Sequence, residues 1–347
     1  MVNLAIVGTG GMAHAHAKAY STMPDVKLVA ACDILPDKVK DFAKEFGIAN
    51  TYTDVDLLLA QPGIDAVDVV TPDSSHAAVS LKVIAKGKHV LCEKPLATNY
   101  PDAQKMADAA AQAGVINMIN LSYRNSSAIQ NAHEMVQQGK LGKIMHVEAS
   151  YLQSWLASKV WDDWRTNPSM LWRLSTRHGS AGTLGDIGVH ILDFTTFAAG
   201  DIKSLNCRLK TFPKAEGDRV GEYIMDANDS VVITIEMAGG ALGTVHASRW
   251  AVGQANTLSL RVYGDKGALA INLDQSYTTM QVCLGEDVDK VAWKTLDCGQ
   301  TPDIYHRFIT SIQTGKNDQP DFAVGARVQK MLDACVESDR EGQAITI

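Results

Sequence analysis

Leu4-Ala5-Ile6-Val7-Gly8-Thr9-Gly10-Gly11-Met12-Ala13 carries the chain from an apolar strand straight into a glycine-rich turn. The spacing Gly8-x-Gly10-x-x-Ala13 sits between that strand and a small-residue helix expected from Met12 to Tyr20. A strand before and a helix after distinguish a dinucleotide cradle from a chance run of glycines. Gly8 permits the tight turn, Gly10 lets the backbone approach a pyrophosphate, and Ala13 allows close helix–strand packing. Thr9, Gly11 and Met12 complete the loop. The helix N-terminus behind it favours phosphate charge. Asp33 ends the next strand, Lys27 to Cys32, where an acid hydrogen-bonds the adenosine ribose. A carboxylate there repels a 2′-phosphate, and Ile34-Leu35-Pro36 offers no arginine to neutralise one. NAD is therefore expected over NADP.

Strand and helix patterns alternate from residue 2 to about 120, which means βαβ units and a parallel sheet. Ligands bind such sheets at the carboxyl ends of the strands. Thr71-Pro72-Asp73 follows the apolar run Ala66 to Val70 on that edge. Pro72 has a fixed φ and no N–H, so it can wall a nicotinamide ring. His76, just beyond, is read equally as a cofactor contact and as a capping or packing residue. His14 and His16 stand at i and i+2 and share no helical face, so they are expected to pack rather than bind metal. The run His89-Val90-Leu91-Cys92-Glu93-Lys94-Pro95 puts an ammonium at the end of a later strand. Hydride transfer from an alcohol carbon leaves a developing carbonyl, and a cation there stabilises the charge on its oxygen. Glu93 can orient Lys94, Pro95 stiffens the turn, and Glu93 and Lys94 are both expected at the cofactor as well.

A length of 347 residues exceeds one ordinary core, and two domains are expected, at 1–121 and 122–347. The net charge of −7 comes without a dense Lys/Arg run, which argues against a nucleic-acid or anionic-membrane partner. No apolar run approaches the roughly 20 residues that span a bilayer. The six cysteines lack C-x-x-C spacing, and reduced thiols in a cytoplasmic protein are the expectation.

After about residue 120 the pattern changes to alternating, turn-punctuated segments from Val231 to Leu284, read as an antiparallel sheet. Helices are expected at Pro302 to Thr314 and Phe322 to Glu337. Asp186 and His190 lie four apart on a helix expected from Thr183 to Ala198. An imidazole there can take a hydroxyl proton, and Asp186 or Asp193 can orient it. Zinc on Asp186, His190 and His178 is the competing chemistry, disfavoured because no H-E-x-x-H or cysteine set is present, and no metal is expected.

Gly8-x-Gly10-x-x-Ala13, His16, Glu93-Lys94-Pro95 and Gly185-Asp186-x-x-x-His190 stand together in one order and spacing. In that combination the chain resembles the Gfo/Idh/MocA oxidoreductases over nearly its whole length. The resemblance implies an α/β protein. A Rossmann parallel sheet would precede a C-terminal α+β domain with a large, mostly antiparallel open sheet that often forms an oligomer interface, here of a homodimer or homotetramer. It implies Lys94, Asp186 and His190 as the catalytic set, contacting substrate, with Tyr123 and Arg124 as further contacts. The loop with Trp155, Trp164, Arg165 and Trp172 suits a sugar or cyclic polyol, because aromatic faces pack on sugar C–H surfaces; an oligomer interface is the alternative. The function implied is NAD-dependent oxidation of a secondary hydroxyl. A non-catalytic dinucleotide-binding regulator and a redox-neutral, NAD-dependent glycosidase are the alternatives.

Overall fold

The computed structural model describes residues 1–347, which fall into two compact units. The first holds Met1–Ser122 and Pro302–Gln329. Its elements run β1 (Val2–Val7), α1 (Gly11–Ser21), β2 (Val26–Cys32), α2 (Pro36–Phe46), β3 (Asn50–Tyr52), α3 (Val55–Leu59), β4 (Ala66–Val69), α4 (His76–Ala85), β5 (His89–Cys92), α5 (Tyr100–Ala113) and β6 (Asn117–Ile119). Local chemistry sets several of these boundaries. Pro36 opens α2 and a left-handed Gly47 closes it, while Asn99 caps α5 by accepting from the Asp102 N–H. The six strands pair in parallel in the order β3-β2-β1-β4-β5-β6. Order reverses between β1 and β4, which creates the crevice where dinucleotides bind in sheets of this kind. The residues of β4 are all buried, as a strand covered on both faces requires.

The second unit holds Tyr123–Thr301 and Lys330–Ile347. It starts with α6 (Ser127–Gln137), β7 (Ile144–Leu152) and the short α7 (Pro168–Leu171). A π-helical turn, Leu184–Gly188, then leads into α8 (Val189–Ala199). Strands β8 (Ile202–Lys210), β9 (Arg219–Val220), β10 (Tyr223–Ile224), β11 (Ser230–Met237), β12 (Leu242–Ser248), β13 (Thr257–Gly264), β14 (Gly267–Asn272), β15 (Thr279–Leu284) and β16 (Lys294–Asp297) follow. With β17 (Ile345–Thr346), all but the β9–β10 ribbon form one sheet of nine strands, in the order β16-β15-β14-β13-β7-β12-β11-β8-β17. Every pairing in it is antiparallel except β7 with β12. Burial alternates along β11, so one face is packed and the other open. Helix α8 packs against β7, β12 and β13.

The division differs from the expected one in the helix α9 (Ile304–Thr314), which the sequence reading assigns to the second domain. Ile304, Phe308 and Ile309 instead join Leu4, Ala13 and Tyr20 in the core of the first unit. Three apolar residues on one helical face find their burial there. The last helix, α10 (Phe322–Glu341), begins in the first unit and ends in the second. No helix is long and apolar enough to cross a membrane.

Candidate active site

The cofactor cradle follows from backbone geometry. Gly8 has φ +94°, and a Cβ there would meet the Val70 carbonyl oxygen at 2.4 Å. Only glycine fits that turn. Gly10 and Gly11 open onto free space, and no side chain caps the N-terminus of α1. The first amides of α1 are thus left for an anion. The Thr9 amide and hydroxyl donate to Asp33 Oδ2 at 2.9 and 2.8 Å, and the Leu35 amide donates to Oδ1 at 3.0 Å. Partial burial alone would raise the Asp33 pKa, but these donors outweigh it and hold the carboxyl below its ordinary range. A carboxylate fixed in this way keeps lone pairs for a ribose. Glycine cradle, uncapped helix and oriented acid all fit a dinucleotide. Met12, in the first turn of α1, is 55% exposed.

Two residues expected at the cofactor instead brace the loops around it. His76 is fully buried, with Nδ1 2.7 Å from the Pro95 carbonyl and Nε2 2.8 Å from that of Thr71. It ties the loop after β4 to the loop after β5. Glu93 is also buried, and its oxygens accept from Asn120 Nδ2, the Lys94 amide and His16. Three of its roughly four acceptor sites are taken up inside the chain. Lys94 follows directly after β5, at the carboxyl end of the sheet.

In the second unit, Asp186 lies in the π-helical turn and His190 in the first turn of α8. Single π turns in helices often mark functional sites. The fully buried Arg249, just past β12, donates from Nη2 to Asp186 Oδ2 at 2.8 Å and from Nη1 to the Arg173 carbonyl at 3.1 Å. Its guanidinium lies 5.0 Å from the Trp155 ring centroid. Nothing in the sequence near Ser248-Arg249-Trp250 marks this residue. Asp193, expected as an alternative partner of His190, is held by Arg124 through Nε at 2.9 Å and Nη2 at 2.5 Å. Arg124 also stacks 4.1 Å from the Phe197 ring centroid and is 4% exposed. It therefore anchors α8 where a substrate contact was expected. The Tyr123 and His190 rings stand perpendicular, with centroids 4.9 Å apart. The Tyr123 hydroxyl is fixed by Tyr151 and by Asn256 Nδ2 at 3.0 Å.

The tryptophan loop divides between core and cavity. Trp164 is 1% exposed, donates to the Leu156 carbonyl and packs in a satellite core. Arg165 lies over the Trp164 ring at 4.5 Å. Trp164 thus belongs to that packing, whereas the Arg165 side chain stays largely exposed, 3.6 Å from Asp163 Oδ1. Trp172 is 37% exposed, with Arg173 over its ring. Trp155 is buried but borders a cavity of about 220 Å³, with Trp161, Asn167, Ser169, Arg173 and Asp186.

Residues 2–121 match the oxidoreductase family described as having an NAD-binding Rossmann fold, and residues 129–270 match the GFO/IDH/MocA C-terminal domain. The chain belongs to the Gfo/Idh/MocA oxidoreductase family. Among its relatives is levoglucosan dehydrogenase of Pseudarthrobacter phenanthrenivorans, 28% identical over 97% of this chain and 96% of that protein. The structure of a levoglucosan dehydrogenase in complex with NADH and levoglucosan superposes with a TM-score of 0.87 at 27% identity, covering 100% of this chain and 99% of the other. An oxidoreductase domain protein from Kribbella flavida is 33% identical, with a TM-score of 0.87 and full coverage of both chains.

Proposed function

We propose that this oxidoreductase transfers hydride from a secondary hydroxyl carbon of a sugar or cyclic polyol to NAD. The observation that carries the reading is Lys94, placed directly after β5 on the sheet edge that also bears the Gly8–Ala13 cradle and Asp33. NAD, when bound, supplies the hydride acceptor. Lys94 stabilises the substrate oxygen as charge builds on it. His190 takes the hydroxyl proton, its ring oriented by Tyr123. Asp186, held by Arg249, accepts from a substrate hydroxyl.

The cavity beside Asp186 supports the substrate class. Its volume of about 220 Å³ is below the roughly 300–1,000 Å³ typical of drug-sized ligands. Arg173 Nε lies 4.0 Å from Asp186 Oδ2, which Arg249 also holds, so two guanidiniums face one carboxylate there. Indole surface with amide and hydroxyl groups suits a hydroxyl-rich ring. The open face of the nine-stranded sheet is the surface this reading gives to self-association, and light scattering showing a monomer would remove it.

Purified protein is to be assayed for NADH formation with anhydrosugars, levoglucosan first, then inositols, aldoses and glycosides. Reduction of NAD by one chemical group, lost in Lys94→Ala, is expected. NAD binding without NADH formation across the panel would overturn the reading.

A further inference from the structure

His16 is fully buried in α1 and faces carboxylates on both sides. Nδ1 lies 2.8 Å from Asp68 Oδ2 on β4, and Nε2 lies 2.9 Å from Glu93 Oε1 at the end of β5. A neutral imidazole carries one N–H and could serve only one of these acceptors; two need an imidazolium. Asn120 Nδ2 approaches the same ring nitrogen at 3.2 Å but has Glu93 Oε1 as its acceptor at 2.5 Å, so it leaves the count unchanged. The Tyr305 ring of α9 closes the pocket, edge-on at 4.7 Å. The remaining oxygen of Glu93, Oε2, accepts the Lys94 amide at 3.0 Å. A chain of contacts thus runs from Asp68 through His16 and Glu93 to Lys94.

We propose that His16 is a positioning residue for Lys94: as a lasting imidazolium backed by Asp68, it fixes the Glu93 carboxylate, which fixes the backbone from which Lys94 acts. The proposal rests on the dehydrogenase reading for the role of Lys94. The charges around the ring agree with it. Burial by itself would lower the His16 pKa, but Asp68 and then Glu93 overcome that and raise it to about 10. Burial likewise works against ionised Glu93, and His16, Lys94 and Asn120 bring its pKa down to about 2. The other titratable groups facing this pocket, Tyr20 and Tyr305, are pushed upward by burial and by Asp68, so they stay neutral here.

Ring nitrogen NMR on the full-length protein is the first readout, and it needs no substrate. A His16 signal doubly protonated at pH 8 is expected; a neutral tautomer overturns the proposal. The second is a cycle of His16→Gln and Glu93→Gln. His16→Gln should lower kcat at least about tenfold with little change in the NAD dissociation constant, and should cost far less in the Glu93→Gln background. Equal losses in both backgrounds would mean a packing role only. The third is Asp68→Asn, which removes one of the two counter-charges. The alkaline limb of kcat set by His16 should move at least about one pH unit downward, and superimposable profiles would contradict the idea. The same cycle, read on titration of the Lys94 amine in ¹³C-dimethylated protein, requires no turnover. It should shift by at least about 0.5 pH unit in His16→Gln and no further in the Glu93→Gln background. Protein that reduces NAD with no polyol yet shows this coupling would refute the dehydrogenase reading and retain the role of His16.

Discussion

The two units hold their candidate catalytic side chains by different means. In the first, buried histidines tie neighbouring strands and the loops that follow them: His76 bridges Thr71 and Pro95, and His16 bridges Asp68 on β4 and Glu93 just after β5. In the second, buried arginines clamp carboxylates that flank His190: Arg124 holds Asp193, and Arg249 holds Asp186. The contrast follows from the folds. Parallel strands that end at one edge bring short polar loops within reach of a single imidazole ring. A helix lying on a wide sheet must be tied to elements farther away, and the long, forked guanidinium spans that gap. The first bracing changes charge within an accessible pH range, whereas the second does not.

Several substitutions can break or sharpen that contrast. The largest effect is expected from Lys94→Ala, which should reduce kcat by about 10²–10⁴-fold with NAD affinity nearly intact, as calorimetry and steady-state rates would check. Loss of NAD binding in step with activity would place Lys94 in the cofactor cradle instead. Arg124→Met comes next, because it strands a buried carboxylate. Such losses run to about 3–5 kcal/mol, whereas replacing both Arg124 and Asp193 by apolar residues should cost less, as denaturant titration can compare. Arg249→Met leaves Asp186 unanchored on a partly exposed surface. Its effect should fall on kcat/KM for the sugar, up to about 10²-fold, with the fold stable and KM for NAD unmoved.

The pH dependence of stability is a subtler test. The His16 pKa rises from 6.5 in the unfolded chain to about 10 in the folded one. Its contribution is fully present below 6.5 and is lost as pH rises through 10. Thermal melts should therefore show Tm falling between these pH values, more steeply in the wild type than in His16→Gln. A melt that is flat across that window in the wild type would count against the charged histidine.

How much of this was legible in the sequence also differs between the units. The nucleotide cradle is local: six residues in a strand–turn–helix context specify Gly8 to Ala13, and Asp33 follows at the end of the next strand. The Lys94 turn is equally local, because an apolar strand ending in Glu-Lys-Pro fixes its place on the sheet edge. What joins distant segments was not legible. Arg249 is 63 positions from Asp186, and Arg124 is 69 from Asp193. No periodicity links such pairs, so Arg124 read as a substrate contact and Arg249 was missed. Trp164 shows the same limit, since composition alone does not separate an indole in a satellite core from one at a cavity wall. His16 read as packing because burial was expected, but not the carboxylate on either side of it. Helix α9 read as part of the second domain because its apolar face says that it must be buried, not against which core.

The most direct test of the central claim is the fate of the hydrogen on the oxidised carbon. Wild-type protein is given NAD and carbon-deuterated sugars and cyclic polyols, and the NADH formed is weighed by mass spectrometry. The account predicts NADH heavier by one mass unit with the productive substrate, formed at least about 10²-fold more slowly by Lys94→Ala. Unlabelled NADH, or turnover undiminished by loss of Lys94, would contradict it.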